Sequence, residues 1–141
     1  MKYAQVFPGQ GSQFVGMGKD LFDQYEEAKK IFSQANKILD FKITEIMFEG
    51  NQQELTETNI AQPAIFIHSI IKSRLLKKKG QLIGVAGHSL GEFSALVVSN
   101  SISFQDGLKL VRIRANEMKK ACDINPGTMA AVIGLENEIV E

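Results

Sequence analysis

The stretch GHSLGE, residues 87 to 92, decides how the rest of this sequence is interpreted. It follows the apolar run 82–86 and precedes the apolar run 93–98, an order that predicts a strand, a sharp turn and a helix. A G-x-S-x-G pattern in that context is typical of a nucleophile elbow, because its glycines lack the Cβ atoms that would clash where strand and helix approach. We therefore predict that Ser89 is a nucleophile exposed on a tight turn.

The same turn is expected to place the start of a helix beside Ser89. The first N–H groups of a helix have no partner within it and lie at its positive dipole end, so an acyl oxyanion would be stabilised there. The alternative is that the serine is only an N-cap, since the pattern also arises by chance. The strand-turn-helix context favours catalysis, although the motif identifies a reaction class and no substrate.

Length and composition fit one globular domain. The chain has 141 residues, of which 44% are hydrophobic and 23% charged, and its formal net charge of zero disfavours nucleic-acid binding. A single cysteine, Cys122, excludes an internal disulfide and offers no metal-ligand cluster, so we expect no metal and a reducing compartment. With no signal peptide and no apolar run of membrane-spanning length, we expect a cytoplasmic protein that binds no membrane.

The sequence pattern predicts alternating strands and helices. The run Tyr3 to Phe7 predicts a buried strand that enters a loop with two glycines, residues 8–13. This loop lacks the lysine of a P-loop and the third glycine of a dinucleotide site, which disfavours nucleotide binding. Apolar spacing and cap residues predict further elements: two helices within 15–39, a helix over 43–48, a long helix over 62–79 with Pro63 in its first turn, a helix capped by Ser103, a strand over 129–134 and a helix from 136.

The sequence offers no well-placed general base for Ser89, which needs one to become a strong nucleophile. His88 directly precedes Ser89, and adjacent residues on a sharp turn project apart, so we interpret His88 as structural or pocket-shaping. His68 lies in the long apolar helix, where a core histidine is commoner, and is only a weak candidate base. In elbow enzymes the histidine comes late in chain order, so we expect the base to be absent from this chain.

Four motifs, in this order and spacing, resemble those of the malonyl-CoA:acyl carrier protein transacylases. They are PGQGSQ at 8–13, QPA at 62–64, GHSLGE at 87–92 and VRIR at 111–114. The first and third together are far more specific than either alone, because they supply both halves of one acyl site. The resemblance runs through the whole sequence.

The resemblance implies an α/β fold with two subdomains, a large one that is α/β-hydrolase-like and a small ferredoxin-like one inserted into it. Residues 1–125 would form the N-terminal part of the large subdomain. Residues 126–141 would begin the small one, with 129–134 as its first strand. Because members of the family are longer, the sequence is expected to be a truncated N-terminal part.

The resemblance also implies roles for individual residues. It assigns Ser89 as nucleophile, the backbone N–H groups of Gln10 and Leu90 as oxyanion hole, Arg114 as clamp on the malonyl carboxylate, and Gln62 and His88 as further substrate-binding residues. A guanidinium presents paired N–H donors in a planar fork, so Arg114 would select a malonyl over an acetyl thioester.

The leading hypothesis is a malonyltransferase of fatty acid biosynthesis. Ser89 would take malonyl from coenzyme A and pass it to the thiol of an acyl carrier protein by a ping-pong route. Its partners would be malonyl-CoA, as a substrate, and acyl carrier protein, and no bound cofactor is implied. Two alternatives stay open: a serine hydrolase or thioesterase with water as acceptor, and a truncated fragment that binds an acyl thioester without turnover.

Overall fold

A computed structural model describes residues 1–76, 80–127 and 132–140. Its elements in chain order are β1 (Lys2–Phe7), α1 (Lys19–Gln24), α2 (Glu26–Leu39), α3 (Ile43–Glu49), α4 (Gln52–Thr56), α5 (Thr58–Leu75), β2 (Gln81–Gly87), α6 (Gly91–Val98), α7 (Phe104–Ile124) and α8 (Asn137–Val140). Within these ranges, no helix is both long enough and apolar enough to cross a membrane.

The two strands form a parallel pair, in which Lys2 lies opposite Gln81 and Phe7 opposite Gly87. The helices α1 to α5 connect them, as a parallel pairing requires a long crossover. Because both strands run in the same direction, the loop after β1 and the elbow after β2 emerge at the same edge of the sheet. The carboxyl ends of parallel strands are where open α/β sheets bind ligands.

Helix α5 forms the centre of the core. Its residues from 60 to 71 are buried except for His68, and a helix that is apolar nearly all round is buried on most sides. Phe66 of α5 stacks on Phe104 at the start of α7, with ring centroids 5.8 Å apart. Helix α5 is thereby held against α7, the helix that carries Arg114.

Most predicted helices are confirmed, with some shifted bounds. The helices within 15–39 and over 43–48 are α1, α2 and α3. The Ser103 cap is confirmed, because the Asp106 N–H donates to the Ser103 Oγ at 3.1 Å. Helix α8 matches the predicted helix from 136.

The predicted position of Pro63 was wrong. Helix α5 begins at Thr58, so Pro63 is its sixth residue rather than part of its first turn. A proline there cannot donate to the carbonyl of Asn59, a loss that tertiary packing of this buried helix offsets. The short helix α4 before it was not predicted; its cap is Asn51, whose Oδ1 accepts from the Glu54 N–H at 2.8 Å.

The first strand is confirmed, but the prediction that it is buried was wrong. Among the residues of β1 only Phe7 is buried, while Val6 is 79% exposed and its β2 neighbour Ile83 is 60% exposed. Parallel strands with apolar residues on both faces suit a sheet that is covered on both sides. Here the described helices cover one face, on which α6 contacts both strands and the Ser73 hydroxyl donates to the Gln5 side chain at 2.6 Å.

The predicted strand over 129–134 cannot be compared in full, since residues 129–131 lie outside the described residues. Its other three residues, 132–134, are not in a strand. The division into subdomains at 125 and 126 therefore stays a prediction.

Candidate active site

The turn after β2 has the geometry of a nucleophile elbow. Ser89 has a φ of 53°, in the left-handed region, which is unusual for a residue other than glycine and indicates local strain. The turn is fixed from both sides: the His88 N–H donates to the Phe7 carbonyl at 3.1 Å, and the Glu92 N–H to the Ser89 carbonyl at 3.1 Å. The predicted strand, turn and helix are confirmed.

The two flanking glycines are required by close backbone contacts. A Cβ added to Gly87 would lie 2.0 Å from the carbonyl carbon of Gly91. A Cβ added to Gly91 would lie 2.2 Å from the carbonyl oxygen of Phe7. Since these neighbours are backbone atoms that cannot rotate away, glycine is needed at both positions.

Arg114 reaches Ser89 from α7. One terminal nitrogen of its guanidinium donates to the Ser89 Oγ at 2.9 Å, and the other donates to the Gln62 Oε1. The guanidinium also lies over the Phe93 ring, 5.9 Å from its centroid. Arg112 points elsewhere and donates to the Ile38 carbonyl at 3.0 Å, as the spacing of two residues predicts.

Gln62 connects this arginine to the loop after β1. Its side chain is fully buried, and its Nε2 lies 3.3 Å from the Met118 Sδ and 3.5 Å from the Gln10 Oε1. The Gln10 Nε2 in turn donates to the Thr58 Oγ1 at 3.3 Å. The structure therefore brings together Ser89, Arg114, Gln62 and Gln10.

Met118 and Thr58 are members of this network that the sequence analysis missed. Met118 follows Arg114 by four residues on α7, so the two side chains share one face of that helix. The spacing was visible in the sequence, but the buried amide of Gln62 that makes it meaningful was not. Thr58 is the first residue of α5, which begins four residues earlier than predicted, and this start of the helix lies beside Gln10.

The backbone N–H groups of Gln10 and Leu90 were predicted to form an oxyanion hole. Over the described ranges, neither the Gln10 N–H nor the Leu90 N–H donates to another group of the protein. Gly9 brings the two segments together, because a Cβ added to it would lie 2.9 Å from the His88 carbonyl oxygen. Their role as an oxyanion hole stays a prediction that this arrangement supports.

His88 lies beside the site, next to the loop after β1. A Cβ added to Gly9 would lie 2.8 Å from the His88 Nδ1, so the imidazole covers the glycine of the loop after β1. In the part of the chain that the structure describes, no hydrogen bond joins His88 to the Ser89 Oγ. This position fits the interpretation of His88 as pocket-shaping.

His68 lies elsewhere on α5 and is not brought to Ser89. It is six residues after Gln62, about 9 Å along the helix and roughly 120° around it. Its ring meets the Phe14 ring edge-on, with centroids 6.3 Å apart. Burial lowers the pKa of His68 below its ordinary value of 6.5, the positive charge of Lys72 lowers it further, and Asp20 partly opposes both. The structure gives no support to His68 as the general base.

The comparisons with known proteins agree with this geometry. A model of the acyl transferase domain matches residues 4–140. The chain belongs to the acyl transferase domain family.

Over the residues that the structure describes, no three His, Cys, Asp or Glu side chains are grouped as metal ligands.

Relatives of this acyl transferase chain include longer proteins whose names state an activity. It is 44% identical to the malonyl CoA-acyl carrier protein transacylase of Bacillus subtilis strain 168, over 99% of this chain and 44% of that protein. The crystal structure of an acyl-carrier-protein S-malonyltransferase from Bartonella henselae matches with a TM-score of 0.82 and 37% identity, over 99% of this chain and 46% of that one.

A second solved structure contains a partner. It is a type II polyketide-synthase acyl-carrier protein in complex with its malonyl-transacylase, and it matches with a TM-score of 0.80 and 36% identity, over 86% of this chain and 40% of that one. The acyl transferase chain thus has the α/β fold of these structures. It spans less than half the length of the relatives that it matches.

Proposed function

We propose that the protein containing this acyl transferase segment moves a malonyl group from coenzyme A to the thiol of an acyl carrier protein, in fatty acid biosynthesis. The names of the Bacillus and Bartonella relatives support this reaction, and the complex with an acyl-carrier protein supports the partner. Malonyl-CoA is a substrate in this scheme, and the reaction requires no bound cofactor.

The observation that carries the proposal is the contact between Arg114 and Ser89, 2.9 Å from nitrogen to oxygen. In a malonyl thioester only one methylene separates the carboxylate from the reacting carbonyl carbon. A guanidinium within hydrogen-bond distance of the nucleophile can therefore hold the carboxylate while the carbonyl lies over the serine. Arginine has five N–H donors, so it can keep its bond to Gln62 and still offer a pair to a carboxylate.

The arrangement of the site supports an acylation step on Ser89. Ser89 Oγ forms a bond to the thioester carbon as a base takes its proton, and the N–H groups of Gln10 and Leu90 stabilise the oxyanion. The carbon–sulfur bond then breaks, and coenzyme A leaves as a thiol after it receives the proton. Since neither His68 nor His88 forms a hydrogen bond with the Ser89 Oγ among the described residues, we place the base in another part of the longer protein.

In this scheme residues 1–125 are the first part of a large, α/β-hydrolase-like subdomain. Residues 126–141 begin a small ferredoxin-like subdomain. Gln62 and His88 line the substrate site: Gln62 holds Arg114, and His88 covers Gly9 beside the elbow.

The proposal is tested by intact-mass spectrometry of the natural protein incubated with malonyl-CoA in the absence of acceptor. We expect one malonyl adduct on Ser89, which Ser89→Ala abolishes. Ser99→Ala, which removes an exposed hydroxyl at the end of α6, is the matched control and should still be labelled. An unmodified wild-type protein, or an adduct that survives Ser89→Ala, would contradict the proposal.

A second measurement separates the transferase from a hydrolase. Acyl carrier protein with a free thiol is added to the adduct, and its discharge is followed over time. We expect discharge that depends on the carrier protein, with malonyl appearing on its thiol. Equally fast release into water without the carrier protein would favour the hydrolase.

A further inference from the structure

Gln62 has to present one particular end of its amide to the arginine. A guanidinium has only N–H donors, so its partner must be the amide oxygen, as observed. The amide NH2 then points the other way and, being buried, needs acceptors of its own. If the amide turned over, two sets of donors would face each other and Arg114 would be pushed from its position.

Two groups lie within hydrogen-bond distance of the Gln62 NH2 as acceptors. The Met118 Sδ lies 3.3 Å away, a good distance for a bond to sulfur, whereas the Gln10 Oε1 lies at 3.5 Å, the outer limit for a bond to oxygen. A thioether sulfur can accept a hydrogen bond but cannot donate one. Met118 therefore favours the amide orientation in which the oxygen faces Arg114.

We propose that Met118 is a positioning residue for selection of the malonyl group: its sulfur fixes the Gln62 amide, and the amide fixes the guanidinium of Arg114. This rests on the proposed function, in which Arg114 binds the malonyl carboxylate. Met118 and Arg114 are four residues apart on α7, so the helix itself holds the sulfur beside the same amide that the guanidinium contacts.

The test compares two variants of Met118 in the natural protein. Met118→Leu keeps the approximate size and apolar character of the side chain but removes the acceptor, whereas Met118→Gln keeps the length and supplies an amide oxygen. Met47→Leu, the same change at a fully buried core methionine of α3, is the matched control. For each protein, kcat/KM is measured for malonyl-CoA and acetyl-CoA, together with the melting temperature.

We expect Met118→Leu to lower kcat/KM for malonyl-CoA about 3- to 10-fold through a higher KM, with acetyl-CoA changed less than about twofold. Met118→Gln should restore most of the malonyl preference, and Met47→Leu should leave the ratio of the two substrates unchanged. If the role of Met118 were purely structural, kcat/KM would fall for malonyl-CoA and acetyl-CoA together.

The outcomes separate this proposal from the proposed function. A selective wild type with an unchanged substrate ratio in folded Met118→Leu would overturn the role of Met118 alone. If Met118→Leu does not fold, a folded Met118→Gln that has lost the malonyl preference would overturn it as well. A wild-type protein that transfers neither group would overturn the proposed function and this proposal with it.

Discussion

Arg114→Ala tests whether the arginine selects the substrate. The change removes a guanidinium that bonds both Ser89 and Gln62, and with it the proposed bidentate site for the malonyl carboxylate. Arg114 is half-buried, so its pair with a carboxylate is screened by water less than a surface ion pair. Losing that charge-assisted pair should cost about 2–4 kcal/mol, roughly 30- to 1000-fold in kcat/KM for malonyl-CoA.

Acetyl-CoA should respond differently because it has no carboxylate. With that substrate Arg114 has no counter-ion and keeps donating to the Ser89 Oγ, as in the free protein. Removing the guanidinium therefore takes away no contact to the acetyl group. We expect kcat/KM for acetyl-CoA to change less than about threefold, because the hydrogen bonds that are lost, to Ser89 and Gln62, do not involve the acetyl group.

The assay measures transfer of both acyl groups to acyl carrier protein by wild type, Arg114→Ala and Arg112→Ala. Arg112 is the matched control, since it lies on the same helix, is exposed and bonds only to the Ile38 carbonyl among the described residues. Its loss should leave both rates near wild type. Equal losses for malonyl and acetyl in Arg114→Ala would refute the reasoning and make Arg114 a structural residue.

Three further predictions concern stability, measured as the free energy of unfolding in urea. Gly91→Ala should cost about 3 kcal/mol or more, because its Cβ would lie 2.2 Å from the Phe7 carbonyl oxygen; a loss below about 1 kcal/mol would contradict this. Ser103→Ala should cost about 1 kcal/mol by removing the α7 cap, and an unchanged midpoint would contradict that. The lowered pKa of His68 favours its neutral form in the folded state. Its contribution to the free energy of unfolding should therefore be fully present above pH 6.5 and be lost as the pH falls below that value. His68→Gln should reduce this slope, and the same slope in both proteins would exclude His68 as its source.

The elbow could be predicted from the sequence because all its determinants are local. Strand, turn and helix follow within residues 81–98, and the two glycines mark where backbone contacts are closest. The cap at Ser103 was equally local, since the side chain and the N–H that it accepts are three residues apart. Such features are independent of how distant elements pack.

The polar network could not be predicted because it joins distant parts of the chain. Gln62 lies 52 residues from both Gln10 and Arg114, and no spacing rule relates those positions. The resemblance to a known family suggested Gln62 and Arg114, but neither their direct bond nor the contact of Gln62 with Met118. The exposed face of β1 was missed for a related reason, since apolar alternation shows that a strand suits burial without showing what covers it.

The position of Arg114 depends on a packing contact two turns away. At Gly107 on α7, an added Cβ would lie 2.9 Å from the Phe66 Cζ and 2.8 Å from the Val97 Cγ2, so α7 approaches α5 and α6 closely only because this residue is glycine. Arg114 follows Gly107 by seven residues and lies on nearly the same face, about 10 Å along the helix.

We expect the Cβ of any side chain at Gly107 either to displace Phe66 and Val97 or to move α7, and a movement of α7 would draw Arg114 away from Ser89. A displacement of about 1 Å at a reacting centre can reduce a rate by roughly 100-fold. The position of Arg114, on which the proposed acyl selectivity rests, therefore depends on the packing of Gly107 against Phe66 in the apolar core as well as on its bonds to Ser89 and Gln62.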